Sequence, residues 1–147
     1  MNRPPHPVVT VHGLPHVRLA TGLGRPVTLL SGPNAAAYAG CGWWRALMAY
    51  APGCADILDC GDSPGRVLEA LSIGCRVMVL VPCPAWDDVA ERAVRQGALV
   101  LPERPPALDL AEYGAARHLA TWLGSANPAP SSGGTSHASH PQGQGDP

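Results

Sequence analysis

No lysine and no phenylalanine occur in this chain, and all ten basic residues are arginine. The missing lysine removes whole chemistries. Schiff-base catalysis needs a lysine amine. A Walker-type phosphate loop sets its lysine on the β- and γ-phosphates, and the kinase lysine has a related task. None of these can operate within this one chain. A GC-rich coding bias accounts for both missing residue types without functional pressure. Charge is also scarce: Asp, Glu, Lys and Arg make up 14 %, and the formal net charge is -1. A nucleic-acid footprint needs a basic patch or a high pI, so no nucleic-acid partner is expected. No apolar run approaches the roughly 18 residues of a membrane span, so no membrane association is expected either. The start Met1-Asn2-Arg3-Pro4-Pro5-His6-Pro7 lacks the apolar centre of a secretory signal. Together these features predict a soluble, cytoplasmic protein.

Cysteine and histidine are present without the spacings that make sites. The five cysteines, at 41, 54, 60, 75 and 83, are odd in number and include no Cys-x-x-Cys pair. Buried reduced thiols are the expectation. The six histidines form no zinc spacing and no His-Glu-x-x-His, so no metal is expected. His12 and His16 are four apart and can share a helix face.

Gly and Pro are abundant, at 17 each, and they punctuate the chain. Val27–Leu30 is a compact apolar run between Pro26 and Ser31-Gly32-Pro33-Asn34, as in a buried strand. Residues 35–50 read as a helix with Asn34 as N-cap. Asp56–Cys60 reads as a strand. Pro64–Ile73 follows as a helix, with Ser63 as N-cap and Gly74 as stop. Arg76–Val81 is a strand apolar on both faces. Residues 84–96 form an amphipathic helix ended by Gly97. Ala98–Leu101 is a further strand, and a last helix is expected from Leu108 or Asp109 to Leu123. Val8–Val11 reads as a candidate edge strand and Pro15–Leu23 as a weak helix, leaving 1–25 a poorly defined segment. Residues 26–124 form a single α/β domain. From 125 to 147 the chain is a Ser, Gly, Pro, Gln and His tail too polar to bury a core, and it is expected to be disordered.

Strand and helix alternate through the middle of the chain, which predicts a parallel sheet with right-handed crossovers. The fold class is α/β: a small three-layer sandwich with a mostly parallel sheet of four or five strands and helices on both faces. Its arrangement is Rossmann-like or flavodoxin-like.

In such sheets ligands bind outside the carboxyl ends of the strands. That rule selects four loops and, within them, Ser31 and Asn34, Asp59 to Gly65, Cys83, and Glu103 with Arg104. The second loop carries the most pattern. Asp59-Cys60-Gly61-Asp62-Ser63-Pro64-Gly65, after a strand and before a helix, resembles the first motif of Rossmann-like S-adenosylmethionine methyltransferases. Asp59, Gly61 and Gly65 match that motif, and Pro64-Gly65 matches a variant of it. The resemblance implies backbone contact with the methionine end of the ligand from Asp59, Gly61 and Gly65. It extends only over Asp56 to Val81. Ser63 stands where the motif has a glycine, and Val81-Pro82-Cys83 stands where the ribose-binding acid would be. Turn and capping chemistry alone also favours Asp, Ser, Pro and Gly at these positions.

Two further groups complete the candidates. Cys60 and Cys83 fall just past strand ends, where a thiol near a helix N-terminus is acidified. Trp43 and Trp44 are adjacent on a helix, about 100° apart. One can face the core while the other meets a partner, including a second copy in a homodimer. The sequence therefore predicts first a non-catalytic binding or protein-interaction module, with an unspecified protein or small molecule as partner and no obligatory cofactor. The alternative is nucleotide or S-adenosylmethionine binding at Ser31, Asn34, Asp59, Gly61, Asp62, Ser63, Gly65, Glu103 and Arg104. A thiol-based redox function at Cys60 and Cys83 is the third reading.

Overall fold

The structure is a computed structural model, and it describes residues 4–125. The expected disordered tail therefore lies, except for Ser125, outside the described residues. Six short strands form one sheet: β1 (Val8–Thr10), β2 (Thr28–Leu30), β3 (Ala55–Asp59), β4 (Val77–Val79), β5 (Leu99–Leu101) and β6 (Leu108–Asp109). Their order is β5-β4-β3-β2-β1-β6, and every pair is parallel. The helices are α1 (Leu14–Thr21), α2 (Ala35–Tyr38), α3 (Cys41–Met48), α4 (Pro64–Ser72), α5 (Trp86–Arg95) and α6 (Leu119–Gly124). This is the expected α/β class in a Rossmann- or flavodoxin-like arrangement. The uncertain N-terminal strand is a full member, and β6 is a sixth strand beyond the expected four or five.

Register explains why the strands read as apolar throughout. Val9 pairs with Leu29, and Met78 sits between Leu58 and Val100. These residues join one core with the buried residues of α1 to α6, among them Val17, Trp44, Val67, Val89 and Leu119. The alternate positions Val8, Leu30, Ile57, Val79 and Leu101 form a second cluster on the opposite face, with Ala107 packed against it. From β1 to β5 the chain steps across the sheet in one direction. Right-handed crossovers therefore put α1 to α5 on one face. The return from β5 to β6 reverses direction, so the same rule places it on the other face. Residues 102–107 make that return. The second covering layer is thus a chain segment, where the sequence anticipated helices.

This strap is short for the width it crosses. Five strand spacings separate β5 from β6, about 24 Å at about 4.8 Å each. The seven steps from Leu101 to Leu108 span about 25 Å when fully extended. Pro102, Pro105 and Pro106 restrict φ and keep the strap from coiling into a helix, while the chain bends at Pro102 and Glu103.

Two helices differ from expectation. The helix expected over 35–50 breaks into α2 and α3 because Gly40 sits at φ 100°, a conformation that only glycine adopts cheaply. The helix expected from Leu108 is delayed. Leu108 and Asp109 are drawn into the ladder beside Val9 and Thr10. Helical structure starts only after Gly114, with a 3-10 turn at Ala115–His118 and then α6. The Trp122 indole donates to the Val8 carbonyl at 2.8 Å, which anchors α6 at the end of the open β6 edge.

Candidate functional site

β1 has β2 on one side and β6 on the other, so the chain's direction across the sheet reverses there. In open α/β sheets the crevice at such a switch point, outside the strands' carboxyl ends, is where ligands sit. The residue two past β1 is His12, and the residue that closes β6 is Asp109. His12 Nε2 lies 2.8 Å from Asp109 Oδ1, and both side chains are 30 % exposed, leaving each reachable from solvent. The same oxygen accepts the Ala111 amide at 2.9 Å. Burial pulls the Asp109 carboxyl upward, but the Ala111 amide, the His12 ring and the Arg104 charge outweigh it and hold it below the usual range. An ionised Asp109 requires Nε2 of His12 to donate, which leaves the Nδ1 lone pair free in the neutral ring.

His16 is fixed by the same segment. The His12 backbone amide donates to His16 Nδ1 at 3.0 Å, so neutral His16 carries its proton on Nε2. Burial pushes the His16 imidazole below its ordinary value, and the neighbouring His12 adds to this against the opposing pull of Asp109. The two rings stand edge to face, 5.6 Å apart. Gly32, just past β2, lies against the His12 ring and the Tyr38 hydroxyl. A Cβ there would lie 2.8 Å from His12 Cε1 and from the Tyr38 hydroxyl, and 2.9 Å from His12 Nδ1. Only glycine lets the imidazole and the phenol approach this backbone together.

Beside this group the strap places Arg104 over the ends of β1, β2 and β3. Its Nη1 donates to Asp59 Oδ2 at 2.7 Å and to the Ser31 carbonyl at 3.0 Å; Nη2 reaches Thr10 Oγ1 at 3.3 Å. Asp59 is nearly buried, with its side chain 6 % exposed. Its other oxygen accepts the Gly61 amide at 2.7 Å. The buried Ser31 hydroxyl accepts the Asp59 amide at 2.9 Å and donates to the Gly32 carbonyl at 3.0 Å. These bonds tie three strand ends and the strap into one network.

The residues singled out from sequence divide accordingly. Ser31, Asp59 and Arg104 come together, but in bonds to one another. Gly61 stands at φ 59° with the Asn34 side chain against it. Asn34 is itself left-handed and makes no side-chain cap, unlike the expected N-cap. Ser63 does cap α4, accepting the Arg66 amide at 3.3 Å. Asp62, Gly65 and Glu103 are exposed and distribute around the edge. Cys60 is fully buried, and burial above all pushes its thiol far up, which opposes the expected acidification. Cys83 is half-buried and free. Trp44 is fully buried, its indole donating to Asp56 Oδ1 at 3.0 Å. Only Trp43 of the pair keeps an accessible face.

His12, His16, Tyr38 and Asp109 were absent from the sequence-derived site. The strand-end rule that chose the four loops also points to His12, once Val8–Val11 is counted as a sheet strand. Asp109 carried no such signal, because it read as the start of a helix. No group of three His, Cys, Asp or Glu side chains among the described residues is arranged to hold a metal ion. A groove of about 370 Å³ lies on the surface of α4 and α5, lined in part by Leu68, Val89 and Arg92, away from the switch point. No protein-family model matches the chain, and no curated protein matches it.

Proposed function

We propose that this chain is a binding domain whose ligand is a small polar molecule seated over the β1/β6 switch point. His12, His16 and the Tyr38 hydroxyl would contact it, and Asp109 would position His12. The observation that carries this reading is the His12–Asp109 pair, which joins the two strands flanking the reversal of sheet order. Binding is favoured over covalent catalysis because Gly32 and a phenol flank His12 Nδ1. No hydroxyl or thiol nucleophile among the described residues hydrogen-bonds to that nitrogen. The test is titration of histidine-labelled protein by NMR with mononucleotides, dinucleotides, S-adenosylmethionine, inorganic phosphate and small carboxylic acids. At least one should move the His12 and His16 ring signals saturably, and His12→Ala should abolish its binding. Binding that leaves both rings unmoved, or no binding across the set, refutes the reading.

Nucleotide or S-adenosylmethionine binding at Asp59 to Gly65 is the second reading. Its support is the loop's place after β3 and before α4, with Gly61 in the left-handed region. It requires Arg104 to release Asp59 and Asn34 to swing off Gly61. On that reading Arg104→Ala raises affinity for these ligands; unchanged or weaker binding sinks it.

A further inference from the structure

The His12–Asp109 pair leaves two acceptors uncommitted. Asp109 Oδ1 takes both the His12 Nε2 proton and the Ala111 amide. Its Oδ2 accepts no hydrogen bond among the described residues, and His12 Nδ1 has no partner among them either. The sole buried side-chain nitrogen or oxygen without a partner among the described residues is Thr28 Oγ1. Asp109 Oδ2 and His12 Nδ1 therefore both face solvent. Two donors stand beside these acceptors. His16 keeps its Nε2 proton because its Nδ1 accepts the His12 amide. The Tyr38 hydroxyl comes up to the same Gly32 backbone as His12 Nδ1.

Carboxylates outnumber arginines around this group. Asp59 and Asp109 are bonded into it, with Arg104 as the one arginine between them. Arg104 is spent on Asp59, the Ser31 carbonyl and Thr10, so its charge is answered inside the fold. Glu103 and Glu112 are exposed on the flanking loops, and Arg117 lies against Gly114. An anion seated here meets the Asp109 carboxylate and a guanidinium already committed to Asp59. A protonated amine meets a charged acceptor with a neutral one beside it. Resting on the reading that the switch point is a ligand site, we propose that its ligand is a small organic amine, positively charged at neutral pH, that also carries a hydroxyl or carbonyl oxygen. The ammonium donates to Asp109 Oδ2, with His12 Nδ1 as a second acceptor. The ligand oxygen accepts from His16 Nε2 or the Tyr38 hydroxyl. Each side chain then uses the bonding capacity that the fold leaves unspent.

The experiment extends the histidine-ring titration of the full chain with two charge-matched series. One is ethanolamine, ethylene glycol and glycolate; the other is glucosamine, glucose and gluconate. At least one amine should move the His12 and His16 signals saturably, and at least about fivefold more tightly than its neutral and anionic counterparts. Asp109→Asn keeps an oxygen for the His12 and Ala111 bonds and removes the charge. With an unchanged thermal melt, it should lose at least about fivefold in affinity for that amine. A neutral or anionic member that binds as tightly as its amine overturns the proposal and leaves the ligand site standing. So do rings that answer only to ligands without a protonated amine, and an Asp109→Asn protein that keeps full affinity for the amine. Rings that no ligand of either series or of the earlier set moves remove the site itself, and the proposal with it. The comparison within each series uses wild type alone, so it decides the question even where Asp109→Asn fails to fold.

Discussion

Replacing Arg104 by Met tests whether the strap is fastened or merely laid across the sheet. Methionine keeps most of the stem's volume and removes three hydrogen bonds, to Asp59, the Ser31 carbonyl and Thr10. Asp59 stays behind with its side chain 6 % exposed and with the Gly61 amide as its remaining bond. Breaking one partner from a fully buried pair costs about 3–5 kcal/mol. Arg104 is 27 % exposed, so water reaches the vacated side and moderates the loss to about 2–3 kcal/mol. For a chain of this size that corresponds to a fall of roughly 5–10 °C in Tm. Urea denaturation supplies the free energy, and Asp59→Asn completes a double-mutant cycle. The introduced carboxamide can still accept the Gly61 amide and brings no charge. The double variant should therefore be more stable than the sum of the single losses by at least about 1 kcal/mol. An Arg104→Met loss below about 0.5 kcal/mol, or an additive cycle, would refute the view that this pair holds strap to sheet.

The remaining expectations concern the switch point and the core. Gly32→Ala should push the His12 ring off Asp109 and cost about 1–3 kcal/mol; an unshifted His12 ring resonance would contradict the packing described. His16 has a lowered folded pKa, so the unfolded chain takes up its proton first as pH falls. Stability should therefore decline from about pH 6.5 downward, and His16→Gln should flatten that slope in urea midpoints measured across pH. Trp44→Phe removes the donor to Asp56, whose carboxyl burial already pushes up. It should cost about 2–4 kcal/mol by unpaired polar burial and lost volume, and calorimetry showing under 1 kcal/mol would count against that bond.

The regular middle of the chain was legible because local and global signals agree there. Val77–Val79 is apolar on both faces since both faces are covered, and Ser63-Pro64 opens α4 by ordinary capping. The ends were harder to read for physical reasons. Leu108–Asp109 has too little length to show a strand period, and it becomes a strand only because β1 offers an edge beside it. Helix propensity after it is genuine but is overridden until Gly114. Asp59 to Gly65 was selected correctly as a strand-end loop. What the residue pattern could not show is that Asp59 commits its carboxylate to the Gly61 amide and to an arginine 45 positions away.

The strap links these points. A parallel strand beside β1 that arrives from β5 must recross the whole sheet, and the right-handed rule sends it over the face without helices. Residues 102–107 make this crossing in few residues, the three prolines keep them from coiling, and Arg104 fixes their middle to β1, β2 and β3. Shortening the strap by one residue would bring its reach below the roughly 24 Å it must cover. β6 would then leave β1, and Asp109 would leave His12. The switch-point pair thus depends on the connection that delivers β6 to β1. Any ligand that depends on His12 and Asp109 together should bind less tightly when a residue is deleted between Leu101 and Leu108. An added glycine in the same segment should be tolerated, since slack loosens the strap without withdrawing β6.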